Sequence, residues 1–344
     1  MKIALTGGTG FIGGKLAASL TARGYQVRCL VRKTSNVEKL NKLGVELSYG
    51  DLSDPGSFDE LTKGTDTVYH LAAMVSDWGE KEEFYRLNVE ATEGLLTASK
   101  KAGVKRFVYM STCSVLWKSD FWSVHNLVDI DESYPYPSSY NDYYNQSKAE
   151  AEKLVIKFYQ DTGLETVVIR PSGVWGAGDT VILPRLVKVA KKGILLPIGK
   201  GNGFVSPCHV ENLVEALILA GEDKNAAGNI YFINDGRKIE HLNFLSKLLK
   251  ATGIDWSPKI SIPYKPAYAL ASLFELSARI SKSKKPPVLT RFAVAAIAGS
   301  RTYSIDKARR ELGYEPDKGL EEGLDEIREW VRNIGGPEAL IELS

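Results

Sequence analysis

The sequence is poor in cysteine, in long apolar runs and in charge of one sign, and each shortage removes a class of protein. Three cysteines, Cys29, Cys113 and Cys208, are too few and too scattered for a disulfide framework or a zinc site. They fit a reducing compartment, and no metal ligand set is expected. No signal peptide is expected either, because the apolar run after Lys2 stops at Thr6-Gly7. The longest apolar stretch, residues 267–274, meets Glu275 far short of the roughly 20 residues that a membrane span needs. Against 44 basic residues stand 42 acidic ones, so electrostatics give no reason to expect a nucleic-acid partner. The expectation is a cytoplasmic protein, at most attached to a membrane surface.

What is present belongs to a globular chain. Its residues are 44% hydrophobic and 25% charged, and its 16 Tyr, 11 Phe and 6 Trp exclude a disordered polymer. A length of 344 residues suits one large domain or two medium ones. Up to Arg170, short β-branched or apolar runs alternate with longer amphipathic ones. Residues 3–5, 27–31, 45–49, 68–71, 107–110 and 167–169 read as strands, and 11–21, 36–43, 58–63, 82–101 and 140–162 as helices. Gly24, Gly44, Gly64, Gly103 and Gly163 follow the helical stretches, where a left-handed cap is wanted. The pattern predicts an α/β fold of Rossmann type, a doubly wound parallel sheet with right-handed crossovers.

After Arg170-Pro171 the alternation is lost. Residues 181–192, 210–220, 241–252 and 320–333 read as helices, and 230–233 as a strand returning to the main sheet. The expected division is a dinucleotide-binding domain over 1–170, with the strand near 229–235, and a smaller interwoven α/β substrate lobe over 171–344. That lobe would cover the carboxyl ends of the sheet, where open α/β folds bind ligands.

Thr6-Gly7-Gly8-Thr9-Gly10-Phe11-Ile12-Gly13 sits between the first strand and the first helix. Glycines at 7, 10 and 13 provide a tight turn, close approach to a pyrophosphate and close helix–strand contact. The helix N-terminus then supplies free N–H groups. The second strand ends Cys29-Leu30-Val31-Arg32-Lys33, with no carboxylate to hold ribose hydroxyls. Arg32 suits a 2′-phosphate, worth about tenfold to a hundredfold in favour of NADP over NAD; the alternative is a solvated Arg32-Lys33 turn. Asp51 and Leu52 follow the third strand, where a carboxylate can accept from the adenine amino group and Leu52 can pack on the ring. His70-Leu71-Ala72-Ala73 ends the fourth strand with small residues that let backbone lie against the cofactor, His70 itself reading as core.

Tyr144 and Lys148 stand four residues apart on one face of a helix. A phenol with an ordinary pKa of about 10 needs a nearby cation to work as an acid–base group near neutrality. Tyr303/Lys307 and Tyr314/Lys318 share the spacing, but only Tyr144 lies in a long helix after the fifth strand. Ser111-Thr112 ends that strand, where a hydroxyl can share the substrate oxygen with Tyr144. Cys113 beside it reads as packing.

Together these stretches resemble an extended short-chain dehydrogenase/reductase nearly end to end. The resemblance rests on Thr6-Gly7-x-x-Gly10-x-x-Gly13, Gly50-Asp51-Leu52, His70-Leu71-Ala72-Ala73, Ser111-Thr112-x-x-Val115, Tyr144-x-x-x-Lys148 and Arg170-Pro171-x-x-Val174-Trp175-Gly176. It implies that Thr112, Tyr144 and Lys148 form a catalytic triad, and that Pro171, Ser172 and Val174 line a nicotinamide pocket. Two departures set the chain apart from nucleotide-sugar enzymes. Cys113-Ser114 stands where their dehydratases carry Asp-Glu, and Phe204-Val205-Ser206-Pro207 replaces the Arg-Asp segment that clasps diphosphate. The chain is more similar to the 3β-hydroxysteroid dehydrogenase, dihydroflavonol reductase and 3-oxoalkanoate reductase branch. Supporting stretches include Asp77-Trp78-Gly79, Asn88-Val89-Glu90-Ala91-Thr92 and the run from Lys307 to Pro316.

The expected activity is NADP(H)-dependent interconversion of a hydrophobic ketone and a secondary alcohol, with NAD(H) as the other cofactor allowed. The alternatives are an NAD-dependent nucleotide-sugar epimerase and a non-catalytic NADP-sensing regulator. Trp117, Phe121, Trp122 and Trp175 either line an apolar substrate pocket or pack the lobe interface. Residues 264–280 and 292–298 flank Lys282, Lys284 and Lys285. That pair of apolar helices rests on a lipid surface, closes the substrate lobe or forms a dimer face, and a homodimer is expected.

Overall fold

Strand–helix alternation in the first 170 residues produces the parallel sheet that it predicts. The structure is a computed structural model that describes every residue except Ser119, Lys200, Lys259 and Ser344. Strands β1 (Lys2–Thr6), β2 (Gln26–Val31), β3 (Glu46–Tyr49), β4 (Thr67–His70) and β5 (Arg106–Met110) alternate with α1 (Phe11–Ala22), α2 (Glu38–Lys42), α3 (Gly56–Thr62), α4 (Lys81–Tyr85) and α5 (Ala91–Lys101). Next come β6 (Leu127–Ile130), α6 (Tyr143–Thr162), β7 (Glu165–Pro171), β8 (Val174–Trp175), α7 (Ile182–Lys191), β9 (Phe204–Val205), β10 (Cys208–His209) and α8 (Val210–Glu222). The chain continues through β11 (Ile230–Ile233), β12 (Ile239–Glu240), α9 (His241–Ala251), α10 (Tyr264–Ile280), α11 (Arg291–Ala298), β13 (Arg301–Tyr303), α12 (Asp306–Leu312), α13 (Leu320–Asn333) and α14 (Pro337–Glu342).

The seven-stranded sheet has the order β11-β7-β5-β4-β1-β2-β3, and its pairs are all parallel. Strand order reverses between β1 and β4, which opens a crevice at their carboxyl ends. Successive strand residues feed opposite faces. Ile3, Leu5, Val108, Val167 and Ile169 pack with Leu16 and Leu20 of α1 and with Leu213 and Leu217 of α8. Ala4, Phe107, Tyr109 and Val168 pack instead with Phe58, Leu95, Leu96 and Val155 of α3, α5 and α6. The second half therefore contributes to both sides of the story: β11, α8 and α12 complete the main core, while α7, α9, α13 and α14 enclose a separate core around Trp175. Two small sheets, β10-β8 and β12-β9-β13-β6, join the parts.

Two helices differ from expectation. The run 82–101 is not one regular helix, because a π-helical turn over Arg86–Glu90 separates α4 from α5. There the Asn88 side chain turns away to bind the Met74 backbone, and the Thr92 hydroxyl takes the Asn88 carbonyl at 2.6 Å. Such inserted turns cluster at functional sites. Helix α6 starts at Tyr143 rather than 140, because Asp142 caps it by accepting from the Asn145 amide at 2.7 Å.

Candidate active site

Phosphate-binding geometry begins at the end of β1. Gly7 has φ +80°, and a Cβ there would stand 3.0 Å from the Ala72 amide. A Cβ on Gly13 would stand 2.1 Å from the Gly7 carbonyl oxygen, so only glycine lets α1 start so close to the strand. Gly10 occupies the N-cap of α1 with no side-chain hydrogen bond, and no acidic residue lies in the first turn. The N–H groups and dipole at that helix end remain available for an anion. Thr9 is exposed, Phe11 and Ile12 half-buried. This cradle fits a dinucleotide pyrophosphate.

The Thr6 hydroxyl ties the cradle to the next strand. It meets His70 Nδ1 at 2.7 Å and accepts from the Ala72 amide at 3.1 Å, while His70 Nε2 meets the Thr92 hydroxyl at 3.0 Å. Burial pulls the His70 pKa down to about 3, so this imidazole is a neutral core link, as its sequence position suggested. Leu71 is buried, and Ala72 and Ala73 line the crevice edge half-buried. Arg32 is exposed at the end of β2, and its charge helps hold the Asp51 carboxylate low, after the hydrogen bonds from Ser53. Those bonds engage Asp51 Oδ1 at 2.8 and 2.6 Å. Leu52 packs at the margin of the core beside Phe58.

The β5 terminus and α6 bring the other candidate groups together. The Thr112 side chain lies near enough to the Tyr144 phenol to favour its phenolate, and its hydroxyl stands 3.0 Å from the Ser114 hydroxyl and accepts from the Ser114 amide at 3.2 Å. Burial and the Asp142 charge push the phenol pKa up, and Thr112 opposes them. One turn on, Lys148 is 3% exposed, donates to the Met110 carbonyl at 2.7 Å and lies 4.2 Å from the Tyr109 ring centroid. Burial pulls its pKa down to about 7, with the Glu152 charge acting against that shift. Beside Thr112, the buried Ser111 hydroxyl has no hydrogen-bond partner among the described residues. Cys113 is buried, its thiol aimed at the Arg170 carbonyl and its pKa pushed up by burial, consistent with packing.

Asn88 links the cofactor crevice to α6. Its amide binds both the N–H and the carbonyl of Met74 and donates to Ser147 at 3.0 Å. Behind α6, Arg170 and Glu152 form a fully buried pair that Tyr136 joins. Pro171 and Ser172 are buried, and the Ser172 hydroxyl donates to the Ser206 carbonyl at 2.5 Å. Val174 is half-buried in β8.

A cavity opens beside Tyr144, lined by Trp78, Phe84, Tyr143, Glu275, Arg279 and Phe292 among others. These are not the aromatic residues named as candidates from sequence. Trp175 is buried in the second core, donating to Asp235 at 2.9 Å with His209 and Phe244 at its edges. Trp117 stacks behind Phe292 and donates to Tyr303, while Trp122 is 76% exposed with Phe121 against it. In the sequence Asp77-Trp78-Gly79 supports only the family branch, the stretches holding Arg279 and Phe292 are among the helices that could close the substrate lobe, and Tyr143 carries no such signal.

The sequence profile of the 3-beta hydroxysteroid dehydrogenase/isomerase family matches residues 4–264. The chain belongs to this family. A ketoreductase of Stigmatella aurantiaca, named for 4-hydroxy-2-methyl-3-oxo-4-farnesyl-3,4-dihydroquinoline-1-oxide, is 36% identical over 96% of each chain. A 2-alkyl-3-oxoalkanoate reductase of Stenotrophomonas maltophilia is 33% identical over 95% of this chain and 98% of its own. Among solved structures, gox2253 shares the fold at TM-score 0.78, with 28% identity over 97% of this chain and 98% of that one. As a member of this family the protein is an oxidoreductase that acts on CH–OH groups with a nicotinamide dinucleotide.

Proposed function

We propose that the protein is an NADP(H)-dependent reductase of a hydrophobic ketone, with Thr112, Tyr144 and Lys148 as its catalytic residues. One observation carries the reading: Tyr144 lines the cavity, with Thr112 close to its phenol and Lys148 one helical turn away. When bound, the reduced nicotinamide supplies the hydride that goes to the carbonyl carbon. Tyr144 donates its proton to the carbonyl oxygen, and Thr112 hydrogen-bonds to that oxygen and fixes its direction. Burial holds the phenol protonated beforehand, and Lys148, in its protonated form one helical turn on, would favour the phenolate left behind. Backbone N–H groups of the Gly7–Gly13 cradle hold the pyrophosphate. Arg32, exposed at the end of β2 with no carboxylate in that place, favours the 2′-phosphate form. The relatives' names point to a 3-oxo compound with a long apolar part as the substrate.

The test compares NADPH with NADH oxidation over a panel holding a 2-alkyl-3-oxo acid, a 3-oxosteroid and a dihydroflavonol. Turnover is expected with NADPH in preference to NADH. Tyr144→Phe is expected to lose at least about a thousandfold in turnover while retaining cofactor affinity. Full activity in that variant sinks the assignment.

A further inference from the structure

Helix α10 lines the cavity with two charged side chains one turn apart, and only one of them has a charged partner. Glu275 and Arg279 stand at i and i+4, where a carboxylate and a cation on one helix ordinarily pair. Glu275 accepts instead from the Arg291 amide and from Arg291 Nε, each at 2.7 Å. The Arg279 guanidinium lies over the Trp78 ring at 5.2 Å and over the Tyr143 ring at 5.3 Å. None of its N–H donors meets a carboxylate or another acceptor among the described residues.

The rings that hold this cation are themselves fixed. The Trp78 indole donates to the Ser283 carbonyl at 2.9 Å, and Tyr143 opens α6 directly before Tyr144. A guanidinium already held against two rings has less rotamer freedom to lose when an anion arrives. The acidic groups of the lining are answered inside the protein. Asp77 accepts from the Thr290 hydroxyl at 2.9 Å with Arg185 at 4.0 Å. Asp142 accepts from the Asn145 amide at 2.7 Å and from its side chain at 3.0 Å. Among the described residues, Arg279 is thus the charged group of this wall left without a hydrogen bond. Planar N–H donors in a fork match the two oxygens of a carboxylate.

We infer that Arg279 receives a carboxylate of the substrate, so that the site selects a ketone carrying an acid group over a neutral one such as a steroid. The apolar part of that substrate lies against Phe84 and Phe292. The ketone in this statement rests on the reductase reading, and the carboxylate rests on Arg279.

The experiment measures NADPH oxidation with 3-oxododecanoate and with its methyl ester, which present the same ketone with and without the charge. The parent is expected to favour the acid about tenfold in kcat/KM, the low end for a charge-assisted contact because Arg279 is exposed. Arg279→Gln is expected to bring that ratio close to one, chiefly through the KM of the acid. Lys282→Gln removes an exposed cation just beyond the helix and is expected to keep the parental ratio. A second measurement needs no turnover: calorimetric titration of the protein holding NADP+ with dodecanoate. The parent is expected to bind it more tightly than Arg279→Gln, by a similar factor. Turnover of both ketones without preference for the acid overturns the inference and leaves the reductase reading intact. A preference that survives in Arg279→Gln does the same. Silence on both ketones counts against the reductase reading instead, and dodecanoate then decides the anchor: equal binding by parent and Arg279→Gln overturns it.

Discussion

A buried lysine decides the electrostatics of the proposed site. Lys148 gives up bulk water for one carbonyl and one ring face, and its pKa falls from the ordinary 10.5 to about 7. Between those two values the unfolded chain holds a proton that the folded chain has released, so this group makes stability rise as pH rises from 7 towards 10.5. Below pH 7 both states are protonated and the cost of burying the charge is complete. Lys148→Met removes that dependence. Relative to the parent, the variant should gain stability as pH is lowered from 10 to 7, measured by thermal melts of the protein without cofactor. A difference that does not change with pH would contradict the buried-cation account. The Tyr144–Lys148 spacing was legible in sequence; the desolvation that gives it chemical meaning was not.

Helix α6 shows how one element gathers contacts that no local pattern reveals. Asp142 caps it, Ser147 meets Asn88 from the π-helical turn, and Gly163 ends it at φ 70°. Glu152 binds the Arg170 guanidinium near the carboxyl end of β7, with Tyr136 donating to the same carboxylate. Removing one partner of a buried pair leaves the other charged and unsolvated. Glu152→Ala should therefore cost about 3–5 kcal/mol in urea denaturation, and it should draw the Lys148 pKa lower still, since the Glu152 charge is what supports it. An effect below about 1 kcal/mol would place the pair among contacts of surface strength. The Arg170-Pro171 stretch was recognisable as a motif, but its carboxylate partner, 18 positions earlier, was not.

At the scale of the molecule, two neutral histidines link the parts of the fold. His70 ends β4 within the main sheet, and His209, in β10, lies against Trp175 of the second core. Burial lowers their pKa values from 6.5 to about 3 and about 4. The unfolded chain takes up protons at both positions as pH falls through 6.5, and the folded chain does not, so stability is lost from there downward. Asp142, raised to about 6 by burial, opposes this together with Glu132, Asp179 and Asp235, which burial also raises, while His125 and His241, lowered by burial, act with the two histidines. Unfolding free energy should thus decline between pH 6.5 and 5. His70→Asn should flatten the decline by about one proton, near 1.4 kcal/mol per pH unit. An unchanged slope would mean that His70 is charged in the folded protein.

Local pattern was enough for the parallel sheet, the glycine cradle and the Tyr144–Lys148 helix. Each depends on residues close in the chain: a strand period of two, a helix period of 3.6, and glycines where a Cβ has no room. Tertiary structure alone decided which side chains wall the cavity, because Trp78, Tyr143, Arg279 and Phe292 come from segments some 200 positions apart. It also sent Trp175 into a core and left Trp122 in solvent, though both are the same residue type. The physical reason is that burial belongs to the packed arrangement of elements, and charge strength, proton affinity and cavity shape all follow from burial.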